Sequence, residues 1–230
     1  MHTSVPTMYH LLNTLSDVGF ITVDEQGNYC LGIAVGNLAA AYHEQSLPPP
    51  ELLVPLRTIS DETGESAYLS AWRNGQMEVI AHRPGTLAVR VNDLRAGFHG
   101  VAHARAAGKV LLAFGTEAQL SRYLATSPFD RVTDKTVSTL DGLFVELDEA
   151  RVNGYGVEYE EFAEGVGCLS VPILGRLSLL GAYTVTAPVD RLRSQFKPYL
   201  GVLVAAARTA AERVDQMTDF ELKDTALDES

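Results

Sequence analysis

The residues of this chain whose types and spacing suit chemistry gather between positions 99 and 186. Cys168 is one. A thiol becomes a nucleophile when a base or a cation beside it favours the thiolate, and His103 is the base the sequence offers. Nothing in the spacing sets the two side by side, so Cys168 is read as a small apolar lining residue. His99 and His103 stand four apart, as metal-binding histidines do on one helix face. Gly97 and Gly100 weaken a helix there and no third ligand follows, so no metal is assigned. Glu160, Glu161 and Glu164 suit a solvated loop face better than an acid/base pair. Lys109 reads as a surface or loop-capping residue rather than a Schiff-base lysine, and Trp72, the sole tryptophan, as a packing residue of a sheet. No group here specifies a reaction; the expectation is a protein that is not an enzyme and takes no cofactor.

Those side chains need elements to hold them. Pro6 suits the first turn of a helix, Leu11, Leu12, Leu15 and Val18 follow at helical spacing, and Gly19 suits the stop. Phe20-Ile21-Thr22-Val23 and Tyr29-Cys30-Leu31 read as strands around the turn residues Asp24-Glu25-Gln26-Gly27-Asn28. A helix over Val35–Gln45 is broken by Pro48-Pro49-Pro50, which marks a domain boundary. Beyond it, the pattern predicts helices over 51–63, 104–113, 117–125, 141–153 and 189–217. Strands are predicted over 66–72, 77–82, 88–91, 156–159, 168–174 and 178–186, with a polar, acidic and frayed tail at 218–230. Strands grouped between helices predict an α+β domain with an antiparallel or mixed sheet.

Composition narrows the partners. The 230 residues are 46% hydrophobic, enough for one or two compact domains, and carry a formal charge of −11 from 18 Lys+Arg against 29 Asp+Glu. Residues 1–46 contain no Lys and no Arg, while Asp17, Asp24, Glu25 and Glu44 lie among them. Such a field repels nucleic acid and has no attraction for anionic membranes. Two cysteines, Cys30 and Cys168, are too few for a disulfide framework. With no signal-peptide pattern and no membrane-spanning apolar run, a cytoplasmic protein is expected.

Three stretches together resemble one family. Thr7-Met8-Tyr9-His10-Leu11-Leu12-Asn13-Thr14-Leu15, running on into Gly19-Phe20, is similar to a recognition helix and wing. His103-Ala104-Arg105-Ala106-Ala107-Gly108-Lys109-Val110-Leu111-Leu112-Ala113 resembles a glycine-lysine helix. Gly154 to Cys168, reading GYGVEYEEFAEGVGC, resembles the family's most recognisable signature. In this order and spacing they are similar to the IclR-type bacterial transcriptional regulators, which join an N-terminal winged helix to a GAF-like effector domain. The resemblance implies a partial winged-helix head over 1–34, a linker helix over 35–50, an effector domain over 51–217 and the acidic tail over 218–230. There are departures. Members usually carry a helix–helix–turn lead-in ahead of the recognition helix, so the expectation is either a start downstream of the true one or a head that has lost tight binding. Pro6 stands where Ser is frequent, His10 where Arg is frequent, and the usually basic wing is acidic.

What the resemblance implies is a regulator that answers a small organic acid. Its DNA-facing residues would be Thr7, Tyr9 and His10, with Ser4 on a phosphate. Its effector residues would be Ala106, Ala107, Glu158, Cys168, Thr184 and Thr186, with Glu158 longer than the Asp common at that place. Physics agrees in part: a helix start free of bulky side chains at Ala106 and Ala107 offers N–H groups to an anion, and Thr184 and Thr186 alternate on a strand and so share a face. The implied partners are a DNA operator, made doubtful by the charge of the head, a small organic acid, and further copies of the chain in a homodimer or homotetramer. The effector's signal would travel through the Val35–Gln45 helix.

Overall fold

A computed structural model describes residues 4–90, 96–127 and 129–228 of the chain. It divides between Leu47 and Pro48 into two compact units. In the first, α1 (Val5–Asp17) starts at Ser4, whose Oγ accepts the Thr7 N–H at 3.4 Å, with Pro6 in the first turn. Strands β1 (Ile21–Val23) and β2 (Tyr29–Leu31) form an antiparallel hairpin. Asp24 closes its turn: Oδ1 accepts from Gln26 N at 3.0 Å and from Asn28 N at 2.8 Å. These bonds, that from the Asn28 backbone foremost, hold the Asp24 carboxyl below its ordinary range. Helix α2 (Ile33–Ser46) follows. No residue of α1 is buried; Leu11 is 56% and Leu15 41% exposed, so the described residues of the first unit leave the apolar stripe of this helix uncovered.

The second unit opens with α3 (Pro50–Thr63), stopped by Gly64 in the left-handed region. Strands β3 (Ser66–Arg73) and β4 (Gln76–Arg83) follow, joined at Asn74 and Gly75, both at positive φ. A 3-10 turn at Ala102–Ala104 leads into α4 (Ala106–Phe114), α5 (Glu117–Thr126) and α6 (Leu140–Asn153). The chain then runs through β5 (Gly156–Tyr159), β6 (Val166–Leu174), β7 (Leu179–Pro188), α7 (Val189–Ser194) and α8 (Phe196–Asp228). The five strands lie in the order β4-β3-β7-β6-β5 and every pairing is antiparallel, which removes the mixed-sheet alternative.

Strand alternation divides the core in two. One sheet face carries Ala67, Leu69, Leu169, Val171, Tyr183 and Val185 and packs on α3 and α8 through Leu56, Ile59, Leu203 and Ala210. The Tyr183 hydroxyl donates to Leu52 O at 2.6 Å and ties β7 to α3. The other face carries Tyr68 and Ala182 and packs, with Met77 and Val79, on α4, α5 and α6 through Ala107, Leu111, Tyr123, Leu143 and Leu147. The result is a sheet between two helical layers.

Three expectations fail on particular residues. The strand over 88–91 is absent from 88–90, where the backbone bends, and Val91 lies outside the described residues. The Val89 carbonyl instead accepts from Arg191 Nη2 at 2.6 Å, a bond that a neighbouring strand would otherwise supply. The helix over 189–217 is two helices that break at Gln195. Pro198 has no N–H to return to Ser194, so the first helix cannot run on through it. The tail at 218–230 is helical to Asp228; those residues include Glu, Leu, Lys and Ala and neither Gly nor Pro.

Gly108 permits the approach of α4 to the 3-10 turn. A Cβ there would lie 2.1 Å from Ala102 O and 2.4 Å from Ala102 Cα, both backbone atoms that cannot swing aside, whereas one at Gly201 in α8 would meet nothing within 4 Å. Gly108→Ala is expected to lower stability by about 2–4 kcal/mol in urea unfolding. Gly201→Ala should raise it by up to about 1 kcal/mol. Equal effects at the two positions would contradict this packing.

Candidate functional site

Register assembles two polar rows on the sheet face that packs on α4. Glu158 of β5 pairs with Cys168 of β6, which pairs with Thr186 of β7, which pairs with Ser66 of β3. In the adjacent row Ser170, Thr184 and Tyr68 stand side by side. All but Cys168 are buried, and Cys168 is half-buried. Ser170 Oγ donates to Tyr183 O at 3.0 Å, Thr184 Oγ1 donates to Ser170 Oγ at 3.0 Å, and Cys168 Sγ lies 3.3 Å from Thr186 Oγ1. The start of α4 sits beside this row: a Cβ on Gly156, two residues before Glu158, would lie 3.0 Å from Ala106 O. The six expected residues Ala106, Ala107, Glu158, Cys168, Thr184 and Thr186 thus fall in one region of the second unit. The first turn of α4 has no side-chain cap, leaving its N–H groups without the side-chain acceptor a helix start normally gains.

Burial shapes the charges. Glu158 Oε2 accepts from Glu161 N at 2.9 Å and Oε1 has no hydrogen-bond partner among the described residues. Desolvation pushes this carboxyl up to about 7, against the lowering effect of the Cys168 thiol and the Glu161 N–H. Desolvation, with the nearby Glu158, pushes the Cys168 thiol well above its ordinary value. A thiol so disposed is a poor nucleophile, in keeping with its reading as a lining residue. Arg105, passed over in the sequence, flanks α4 at its first turn and is buried.

Lys109 corrects the sequence reading. It is not at the surface: it is 1% exposed, and its ammonium pairs with Glu161 at 2.6 Å and with Glu146 of α6. Glu161 is correspondingly buried and does not belong to a solvated face; Glu160 pairs with Lys135, and Glu164 is exposed. Thr136 Oγ1 donates to Glu161 O at 2.7 Å. The signal was available, since a lone cation in an apolar helix needs a buried partner. His103 is also structural. Its Nε2 donates to Asp130 O at 3.0 Å and its Nδ1 accepts from the Tyr123 hydroxyl at 2.6 Å. Trp72 packs edge-on against Tyr123.

In the first unit, Ser4 is engaged as the cap of α1 and its Oγ lies 2.7 Å from Thr7 Oγ1. His10 Nδ1 lies 3.3 Å from Thr14 Oγ1. Helical geometry sets Thr7, His10 and Thr14 on one side, with Tyr9 about 160° round the axis from Thr7. Tyr9 and His10 are exposed.

Known proteins resemble the chain along most of its length. Residues 51–216 match the family model described as the bacterial transcriptional regulator IclR C-terminal. The glycerol operon regulatory protein of Streptomyces coelicolor is 31% identical over 224 residues, covering 91% of this chain and 82% of that protein. A solved IclR-type regulator from Silicibacter sp. TM1040 superposes with a TM-score of 0.73 at 29% identity, covering 93% of this chain and 85% of that one. An IclR homologue from Microbacterium hydrocarbonoxydans, solved in complex with 4-hydroxybenzoate, shares the fold with a TM-score of 0.71 at 21% identity, covering 90% of this chain and 84% of that one.

Two measurements check the site's energetics. Lys109→Met leaves two partly or wholly buried carboxylates without their cation and is expected to cost about 3–5 kcal/mol by chemical denaturation. Adding Glu146→Gln and Glu161→Gln should recover part of that loss. Glu158 is raised in the fold, so the stability it confers is complete below its unfolded value of 4.5 and disappears as pH rises through about 7. Thermal unfolding at pH 5 and pH 8 should therefore show the wild type losing roughly 1–3 kcal/mol more than Glu158→Gln over that interval. Parallel pH profiles would show that the buried carboxyl does not titrate there.

Proposed function

The chain belongs to the IclR family of bacterial transcriptional regulators, and on that premise we propose that it senses a small organic acid and couples that event to DNA. The observation that carries this reading is the buried row of Glu158, Cys168 and Thr186, with Ser170 and Thr184 beside it, next to the uncapped start of α4. Buried polar side chains are costly unless they have partners, and this set belongs to a family of regulators rather than of enzymes. Ala106, Ala107, Glu158, Cys168, Thr184 and Thr186 are assigned to the effector. That a homologue of this fold binds 4-hydroxybenzoate supports an acid as its class.

The remaining parts follow from the same reading. Residues 1–34 form the DNA-binding head, with Thr7 and His10 toward the groove and Ser4 toward a phosphate, while Tyr9, expected beside them, stands on the opposite side of α1; residues 35–50 link it to the sensor at 51–217. Paired half-sites need paired readers, and the exposed Leu11 and Leu15 offer surface for a homodimer or homotetramer to cover. Among the described residues no helix is long and apolar enough to cross a membrane, which accords with a cytoplasmic regulator.

The absence of Lys and Arg from residues 1–46 favours a second reading, an effector-binding protein without tight hold on DNA. Two assays separate them. A panel of organic acids that includes 4-hydroxybenzoate should raise the melting temperature by roughly 2–8 °C at saturation, and Thr184→Val/Thr186→Val should remove the shift. In a gel-shift assay on the DNA upstream of its gene, the regulator reading expects retardation at low salt that fades steeply as salt rises. Retardation at no salt concentration, with the acid shift intact, would leave the second reading standing.

A further inference from the structure

Arg105 stands immediately ahead of Ala106 and is only 6% exposed. Its guanidinium carbon lies 4.9 Å from the Phe98 ring centroid and 5.2 Å from that of Phe162, and the two rings meet edge to face. Nη1 has no hydrogen-bond partner and the guanidinium joins no ion pair among the described residues. Ring contacts return only part of what burying a guanidinium costs. Burial lowers its pKa to about 10, so it keeps its charge at neutral pH.

Glu158, Cys168 and Tyr68 are near enough to this cation for their charges to act on it. Glu158 likewise has an unused oxygen, Oε1, and Ser70 Oγ on the same sheet face is buried without a partner. A buried cation and a buried carboxyl thus lie near each other, each with an idle polar atom, and do not join. Lys109, within α4, is already neutralised by Glu146 and Glu161.

We propose that Arg105 is the anion anchor of the sensor site, holding the carboxylate of a small hydroxy acid whose hydroxyl reaches Glu158. This rests on the sensor reading given above and names its ligand class. The α4 N–H groups add to the pull on the carboxylate. A hydroxyl suits Glu158 in either protonation state, because it donates to a carboxylate and accepts from a carboxyl. A dicarboxylate is disfavoured, since its second charge would meet Glu158 with no free cation beside it. A purely apolar acid is disfavoured because it would leave Glu158 Oε1 and Ser70 Oγ desolvated and unpaired.

The test is calorimetric titration of the full chain with hydroxy acids from glycolate to gluconate, each paired with its neutral amide. At least one acid is expected to bind the wild type tenfold or more tightly than its amide. Arg105→Gln should reduce that preference to twofold or less, and Arg105→Lys should keep part of it. Relieved of an unpaired charge, ligand-free Arg105→Gln should melt no lower than the wild type; a lower melting point would make Arg105 a structural brace and overturn the anchor. An acid preference that survives Arg105→Gln but weakens in Glu158→Gln would also overturn the anchor while leaving the sensor site standing, as would equal binding of acid and amide. Failure of every acid and every amide to bind the wild type would overturn the sensor reading itself, and the anchor with it.

Discussion

The ammonium of Lys109, shut away from solvent between Glu161 and Glu146, is the interaction on which the second unit's polar architecture depends. It joins three pieces of chain in one polar contact: α4, α6 and the segment between β5 and β6. Pinning Glu161 fixes its backbone N–H, which then supplies the one hydrogen bond that the Glu158 carboxyl accepts from nitrogen or oxygen among the described residues. Thr136, by donating to the Glu161 carbonyl, ties the preceding loop to the same point. Phe162, the next residue along, is thereby placed against Arg105 and Phe98. An apolar triad of equal volume can pack as well in energy, but it would not fix the direction in which the Glu158 carboxyl looks.

The sheet contributes the complementary constraint. Antiparallel pairing brings residues distant in sequence into one row, and a shift of one residue would turn that row into the opposite core. The row is polar because its members face the start of α4; the residues between them, Leu169, Val171 and Val185, face α3 and α8 and are wholly apolar. Burial then does the electrostatic tuning. It lifts the Glu158 carboxyl and the Cys168 thiol toward their neutral forms and leaves the Arg105 guanidinium charged. A second buried cluster, in which Arg191 and the Tyr199 hydroxyl both serve Glu65, clamps the junction between β7 and α8 to the start of β3.

Much of this was legible in the chain. Apolar periodicity located α3, α5, α6 and the strands of the sheet, and Asn74-Gly75 marked the turn between β3 and β4 because both residues tolerate positive φ. Thr184 and Thr186 shared a face by alternation alone. What escaped depends on distant partners. Lys109 reads from sequence as a surface residue because its carboxylates lie 37 and 52 positions further on, in segments whose folding onto α4 no local pattern encodes. Arg105 was passed over because a cation at a helix start is ordinarily solvated, and only the approach of Phe98 and Phe162 makes it otherwise. The strand drawn over 88–91 and the unbroken helix over 189–217 rested on composition, and were undone by a single arginine and a single proline.

The wing of the first unit separates folding from electrostatics. Asp24 closes the turn with its side chain, accepting from the Gln26 and Asn28 backbone and from the Asn28 side-chain amide, while Gly27 supplies the positive φ the bend needs. The neighbouring Glu25 and Gln26 side chains sit at the exposed tip and contribute nothing to that closure. Natural drift at these two sites is therefore unconstrained by the hairpin: a lineage is free to reverse the sign of the tip, and with it the attraction to polyanions, while the loop keeps its shape.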